Sequence, residues 1–253
     1  MSLDTEEDLA ALKLVGQVVK ETLAALEEHA VVGVSTLELD EIAKTVFDRY
    51  GAKSAPTLVY GFPGTVLISV NDEIVHGIPG ARRLEQGDIV KLDVTPELNG
   101  YIADAASTVV VAAEDKDEKR VQLAGAAKEA LEAAIKVARA GTPIRTIGAV
   151  VEQTVRQAGF SVIPELCGHG VGRTIHEAPE IIPNYPEKRV RGVLKAGMVI
   201  TIEPIIAIGS GARFTRCYTA DDKWTIKTKD GSDAAHFEHS LVITNGAPLI
   251  LTA

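Results

Sequence analysis

The sequence predicts one domain built from two related halves, each a pair of helices followed by strands. Three observations carry this. Residues 12–52 can be set against 120–160 at a constant offset of 108, which pairs Lys20-Glu21 with Lys128-Glu129, Leu23 with Leu131, Gly33 with Gly141 and Gly51 with Gly159. After each helix pair comes a Gly followed by an apolar strand that ends near an acid, EQGDIVKLDV at 85–94 and LKAGMVITIEP at 194–204. No linker rich in Pro, Ser or Gly divides the 253 residues, so a single domain spanning 1–253, with halves at about 10–111 and 120–252, is the economical organisation.

Within 12–52 the apolar residues fall three and four apart on either side of a Gly break, the pattern of two amphipathic helices, and Ser35 is the expected N-cap of the second. The loop-like NDEIVHGIPG (71–80) carries His76. In the strand at 89–94, period two puts Ile89, Lys91 and Asp93 on one face and Val90, Leu92 and Val94 on the other. YIADAASTVVV (101–111) holds Asp104, and AAEDKDEKR (112–120) reads as a solvated connection between the halves. The second helix pair follows, with Thr142 as the expected cap. Then come GHGVGRTIHEAP (168–179), a strand placing Val199, Thr201 and Glu203 on one face, and HFEHSLVIT (236–244) with Glu238.

Composition narrows the function. With 46% hydrophobic and 24% charged residues the chain is an ordinary globule. A formal charge of −9 argues against a nucleic-acid or acidic-membrane surface. No apolar run approaches the roughly 18–20 residues that cross a bilayer. The acidic opening MSLDTEEDLAALK lacks a signal-peptide layout. Only Cys167 and Cys217 are present, which fits a reducing cytoplasm rather than a disulfide framework. Cys167, two residues before His169, could be a soft ligand, a nucleophile or packing, and packing is favoured.

The chemistry lies in Asp93, Asp104, His169, Glu203 and Glu238, four acids and an imidazole interrupting or bordering apolar runs. Any one acid could face solvent. Four of them, with a histidine in a Gly-rich segment, suit manganese, iron(II), cobalt or zinc. If they converge, four negative charges need compensation, and two divalent cations supply it. Paired metals about 3.5–4 Å apart are a hydrolytic arrangement. Glycines at 168, 170 and 172 permit close backbone approach around His169. His176, seven residues on, would face substrate. His239 points away from Glu238 and reads as packing, His236 flanks the same strand without a role, and His29 closes a helix in solvent.

Taken together, SVNDEIVHGIP, KLDV with Asp104 eleven residues on, CGHGVGRTIHEAP, ITIEP and DDKWTIKTKDGSDAAHFEHSLVIT resemble, in order and spacing, the type I methionine aminopeptidases of short bacterial form, over residues 5–252. The resemblance implies the duplicated pita-bread α+β fold around a central antiparallel sheet, with the metal centre between halves. By position it implies that Asp93 binds one metal, that His169 and Glu203 bind the other, and that Asp104 and Glu238 bridge both. A water bridging the ions would attack the first peptide bond, Glu203 would move its proton, and His76 and His176 would hold the scissile amide and the tetrahedral intermediate. Phe62 and Trp224 would line the methionine slot, with Pro56, Val59, Leu67 and Ile175 nearby. The implied substrates are nascent N-termini with a small second residue, met near the ribosome by a cytoplasmic monomer. The chain's own Met1-Ser2 start has such a second residue.

The sequence departs from the family where members commonly read Tyr-His-Gly-Phe/Tyr-Pro; here it is Val59-Tyr60-Gly61-Phe62-Pro63. Pro56 and Leu67 replace frequent cysteines, and Ile175 a frequent Phe. Two rivals stand beside this reading. Proline-directed peptidases of the same fold usually carry a large preceding domain and place their last two acids closer than the 35 residues between Glu203 and Glu238. A non-catalytic metal-binding relative would be expected to lose ligands.

Overall fold

The computed structural model describes residues 3–253; the Met1-Ser2 start lies outside them. Among the described residues there are five α-helices, α1 (Glu6–His29), α2 (Thr36–Tyr50), α3 (Ala55–Tyr60), α4 (Glu118–Val137) and α5 (Ile144–Gln157). Paired strands are antiparallel throughout and divide into one five-stranded and four three-stranded sets. In the first half, Ile89–Val94 lies between Leu67–Val70 and Ala105–Val110. In the second, Val199–Ile202 lies between Cys167–Gly170 and His239–Val242.

The duplication is written in the backbone. Gly33 N–H donates to Leu84 O and Gly141 N–H to Leu194 O, both at 2.8 Å. The return bonds, Leu84 N–H to Val34 O and Leu194 N–H to Thr142 O, are also 2.8 Å. Ser35 bridges to Arg83, and Pro143 to Val193. Gly33 and Gly141 have φ of 90° and 87°, and Gly87 and Gly197 have 85° and 86°. These are conformations that side chains with a Cβ rarely adopt. Each half therefore clips the turn between its helices to the loop before its acid-bearing strand.

One expected cap is not where sequence placed it. Ser35 caps α2, accepting from Glu38 N–H while Glu38 reaches back to the Ser35 N–H. The aligned residue in the second half is Pro143, which begins α5 without a side-chain cap. Thr142 lies one residue too early, and its hydroxyl donates to Val137 O at the end of α4. Proline's fixed φ and missing N–H suit a helix start, which makes a hydroxyl cap dispensable here. The 112–120 stretch is also more anchored than a solvated connection. Glu118 already starts α4, and Arg120 pairs with Asp233 at 2.7 Å and donates to Gly87 O.

Each helix pair covers one half. Val90, Leu92 and Val94, the apolar face of their strand, pack with Leu12, Val15, Val19 and Phe47 of α1 and α2. Ile200 and Ile202 pack with Leu123, Ala127, Ile147 and Val151 of α4 and α5. With helices on the outside, the opposite strand faces turn towards each other. The halves join there through reciprocal backbone bonds, Ala106 N–H to Glu238 O at 3.4 Å and Glu238 N–H to Ala106 O at 2.9 Å.

An added Cβ at Gly33 or Gly141 would meet nothing within 4 Å, so Ala there tests backbone strain alone. Gly33→Ala and Gly141→Ala should each lower stability by about 1–2 kcal/mol, and by similar amounts. Urea unfolding of both variants checks this; a loss at one site only would show that the two turns are not equivalent.

Candidate metal and peptidase site

Three of the four acids sit where the chain leaves one strand set for another. Asp104 lies between Tyr101–Ile102 and Ala105–Val110, Glu203 between Val199–Ile202 and Ile205–Ala207, and Glu238 between Ala234–His236 and His239–Val242. Regular pleating breaks at such corners, and each carboxyl turns inward. Asp93 stays within its strand, opposite Leu67 and Ala106. Asp104, Glu203 and Glu238 are 7%, 9% and 2% exposed, and Asp93 is half-buried.

His169 is held between strands that almost touch it. A Cβ at Gly168 would come within 2.6 Å of Thr201 O, and one at Gly170 within 2.5 Å of Glu177 O and Ala178 O. The glycines on either side of His169 are therefore required by the packing of the flanking backbones. Thr201 Oγ1 accepts from His169 N–H and donates to Glu203 Oε1, both at 3.0 Å. The His169 ring nitrogen Nδ1 lies 3.0 Å from Gly170 O. A carbonyl only accepts, so Nδ1 carries the proton and Nε2 presents a lone pair, 3.5 Å from Glu203 Oε1. Thr95 Oγ1 donates to Asp104 Oδ1 at 2.8 Å, and Ser240 clamps the Asp104 backbone at 2.9 and 2.8 Å.

Asp93, Thr95, Asp104, His169, Glu203 and Glu238 open on one cavity of about 420 Å³. His76 and His176 stand at its exposed mouth. His76 has φ of 61°, a strained value for a residue with a Cβ. Tyr60 Oη lies 2.7 Å from His176 Nδ1. Phe62, 1% exposed, meets the edge of Trp224 at 5.3 Å between ring centres on the apolar part of the wall. Pro56, Leu67 and Ile175 share this cavity. Val59 does not, and the expectation for it is corrected. The short helix α3 turns Val59 outward, 53% exposed, onto a separate shallow hollow, while the next residue, Tyr60, faces the site.

Sequence reasoning leaves out Tyr60 and His236 of the cavity wall, together with the Thr95 and Ser240 hydroxyls that hold Asp104. Tyr60 enters it only as part of a changed motif. His236 was assigned no role, yet it is 1% exposed, lines the cavity, and has Nε2 3.4 Å from Glu238 Oε2. Period two from Glu238 was the available signal, since residues 236 and 238 share a side of an extended chain. Cys167 is a half-buried free thiol on the cavity wall, and burial pushes its thiol up, towards the protonated form.

Electrostatics sets the character of the site. Burial, then the neighbouring Asp104, pushes Asp93 up to about 8. Burial and Glu238 raise Asp104 well above the usual carboxylate range. Burial, Glu238 and Asp104 do the same to Glu203, and burial and Asp93 to Glu238. His76, His169 and His236 are depressed to about 4, in each case chiefly by lost hydration. His76 keeps solvent access at the mouth, but the walls still remove enough water to favour its neutral form.

These directions give a pH dependence for metal-free protein. The carboxyls hold protons in the native state that the unfolded chain has already released, so stability is greatest at low pH and falls as pH rises through their native values. The depressed histidines act oppositely, but only below about 6.5, where the unfolded chain's imidazoles become protonated. Between about pH 6.5 and 8 the carboxyls dominate, at about 1.4 kcal/mol per pH unit for each proton held. The Tm of chelator-treated protein should therefore fall across that window, and excess divalent ion should remove the slope. Calorimetry checks this; a flat or rising Tm without metal would mean the carboxylates are already compensated.

Comparison with known proteins gives the family. Residues 10–245 match the model of metallopeptidase family M24. A methionine aminopeptidase of Staphylococcus epidermidis is 40% identical over 252 residues, covering 100% of this chain and 98% of the relative. The crystal structure of the Thermotoga maritima methionine aminopeptidase superposes with a TM-score of 0.92 at 34% identity, covering 100% of this chain and 99% of that one. A prolidase from Pyrococcus furiosus shares the fold at a TM-score of 0.74 and 22% identity, with 99% of this chain but only 65% of the prolidase covered. A family match over residues 10–245 and a relative 40% identical along the whole chain leave no ambiguity about kinship: the chain belongs to metallopeptidase family M24.

Proposed function

We propose that this chain is a dinuclear methionyl aminopeptidase, removing the first residue from nascent polypeptides that begin with methionine and a small second residue. The observation that carries this is a cluster of three buried carboxylates and the half-buried Asp93 with a lone-pair imidazole, below two histidines and beside an apolar aromatic wall. The donor set fits two divalent ions. Ligand atoms of Asp104, His169 and Glu238 lie within 4.8 Å of one another, as do those of Glu203, His236 and Glu238. Glu238 belongs to both groups, and its Oε1 has no hydrogen-bond partner despite being buried. Asp93, Asp104, His169, Glu203 and Glu238, all on the cavity wall, would hold the pair. The pair would polarise the scissile carbonyl and lower the pKa of a bound water from 15.7 to about 7.

The protein's own groups do the rest. Glu203, held by Thr201, would accept a proton and return it to the leaving amine, a contribution of about 10²–10⁴ in rate. Lost hydration pushes both His76 and His176 down, towards the neutral form, so each can donate one N–H to the amide without burying a second cation. When Tyr60 Oη donates to His176 Nδ1, the remaining proton sits on Nε2, ready for the developing oxyanion. The Phe62–Trp224 wall, with Leu67 and Ile175, suits a flexible thioether, which packs well against ring edges. Among the described residues no helix is long and apolar enough to cross a membrane. The enzyme would work in the cytoplasm as a monomer on chains leaving the ribosome.

Met-Ala-Ser, Met-Lys-Ser and Ala-Pro-Ser, offered to chelated protein resupplied with manganese or cobalt, separate the readings. Methionine should be released from Met-Ala-Ser alone. Cleavage only before proline would replace the proposal with a proline peptidase, and no cleavage with metal bound would leave a binding protein. Glu203→Gln should lower kcat about 10²–10⁴-fold; an unchanged rate would remove it from proton transfer. Tyr60→Phe should cost about 10-fold or more in kcat with little change in KM, as expected when an interaction made only in the transition state weakens. Equal losses in binding and turnover would instead make Tyr60 part of the slot.

A further inference from the structure

The group that the proposed reaction leaves without a task is His236. Its imidazole is 1% exposed, yet among the described residues neither Nδ1 nor Nε2 has a hydrogen-bond partner. A buried histidine that only fills space almost always finds a carbonyl or hydroxyl for at least one nitrogen, because leaving both unpaired costs free energy. The ring is also not free to seek one. His236 N–H donates to Thr108 Oγ1 at 2.9 Å, and the same hydroxyl donates to His236 O at 2.6 Å. On the other edge His236 pairs with Ile205, two residues from Glu203. Both halves thus hold this backbone in place, and the ring is aimed at the acids.

What it faces are carboxylate oxygens. His236 Nε2 is 3.4 Å from Glu238 Oε2 and 3.8 Å from Glu203 Oε2. These separations match the 3.5 Å between His169 Nε2 and Glu203 Oε1. Glu203 therefore lies between two imidazoles, one oxygen towards each. Two donors sharing an ion at about 2.0–2.2 Å must lie within about 4.4 Å of one another, which both pairs satisfy. A neutral imidazole also adds a donor without disturbing the balance of four carboxylate charges against two divalent ions.

We propose that His236 is a sixth protein ligand of the dinuclear centre, completing a Glu203–His236–Glu238 group on the side of Glu203 away from His169. This rests on the dinuclear reading above and adds a residue to it. The test loads the metal-depleted full chain with cobalt(II) and records proton NMR in water. Two exchangeable, strongly shifted imidazole N–H signals are expected, one each from His169 and His236. His236→Gln should remove one signal and weaken one of two binding equivalents by about 10–100-fold or more in calorimetric titration. A single imidazole signal in the loaded native chain would overturn the assignment while leaving the dinuclear centre standing. So would two signals that persist in His236→Gln with an unchanged titration. The native-chain spectrum decides the question even if the variant folds poorly. Failure of cobalt to bind at all would instead overturn the dinuclear reading, and the His236 ligand with it.

Discussion

The rest of the structure is organised around the mutual repulsion of four enclosed carboxylates. Asp93, Asp104, Glu203 and Glu238 raise one another's affinity for protons, on top of the cost of burial, so alone they form a site that resists ionisation. A fold can tolerate such a cluster only by making the surrounding backbone rigid enough to withstand it and by giving the charge a compensating partner. Rigidity comes from strand corners and from hydroxyls placed against them. Thr95 and Ser240 fix Asp104, and Thr201 fixes both His169 and Glu203. Compensation is what two divalent ions would bring, and this is why cluster and cofactor are best understood as one unit.

Duplication explains how one chain supplies such an array. Each half delivers an acid on a strand whose other face is committed to a helix pair, so the acid-bearing face cannot be covered by its own helices. Bringing the two halves together through Ala106 and Glu238 covers both faces and creates the cavity in one step. The halves are not used identically. Only the second contributes His169, and only the second has a Gly-rich strand narrow enough to sit between two close neighbours. Asymmetry of side chains on a symmetric frame would allow the two halves of a metal centre to differ in what they bind and in how they handle a proton.

Much of this was legible in the sequence because it followed from periodicity and spacing. The 108-residue repeat, the glycines at its turns and the faces of the acid-bearing strands required only that pattern to be read. The misses have a common physical origin. Thr142 looked like a cap because its residue type was right, but a proline one position later already sets the helix start. Val59 belongs to a motif that suggests the slot, whereas a six-residue helix rotates successive side chains by about 100°, so that its neighbour Tyr60 faces the site instead. His236 was passed over because a lone histidine carries little weight in a sequence. Its two missing partners become visible only when the other half of the chain closes over it.

The apolar end of the cavity shows how far such a scaffold can be selective. Phe62 and Trp224 come from distant segments and meet edge to face, which fixes the width of the slot more firmly than either ring could alone. Leu67, Pro56 and Ile175 complete the wall without adding a polar group. Discrimination by such a surface is limited to about 1–3 kcal/mol per methylene, because no buried donor or acceptor is left unpaired when the wrong side chain enters. In the proposed reaction, selectivity for methionine therefore has to come from shape and from the contact of sulfur with ring edges. Selectivity for a small second residue has to come from elsewhere, where His76 and His176 at the mouth must reach the amide past whatever side chain follows it. In that reaction the two preferences would be governed by different parts of the cavity. Changes at Pro56, Leu67 and Ile175 can thus tune the first while leaving the second, and the chemistry of the acids, intact.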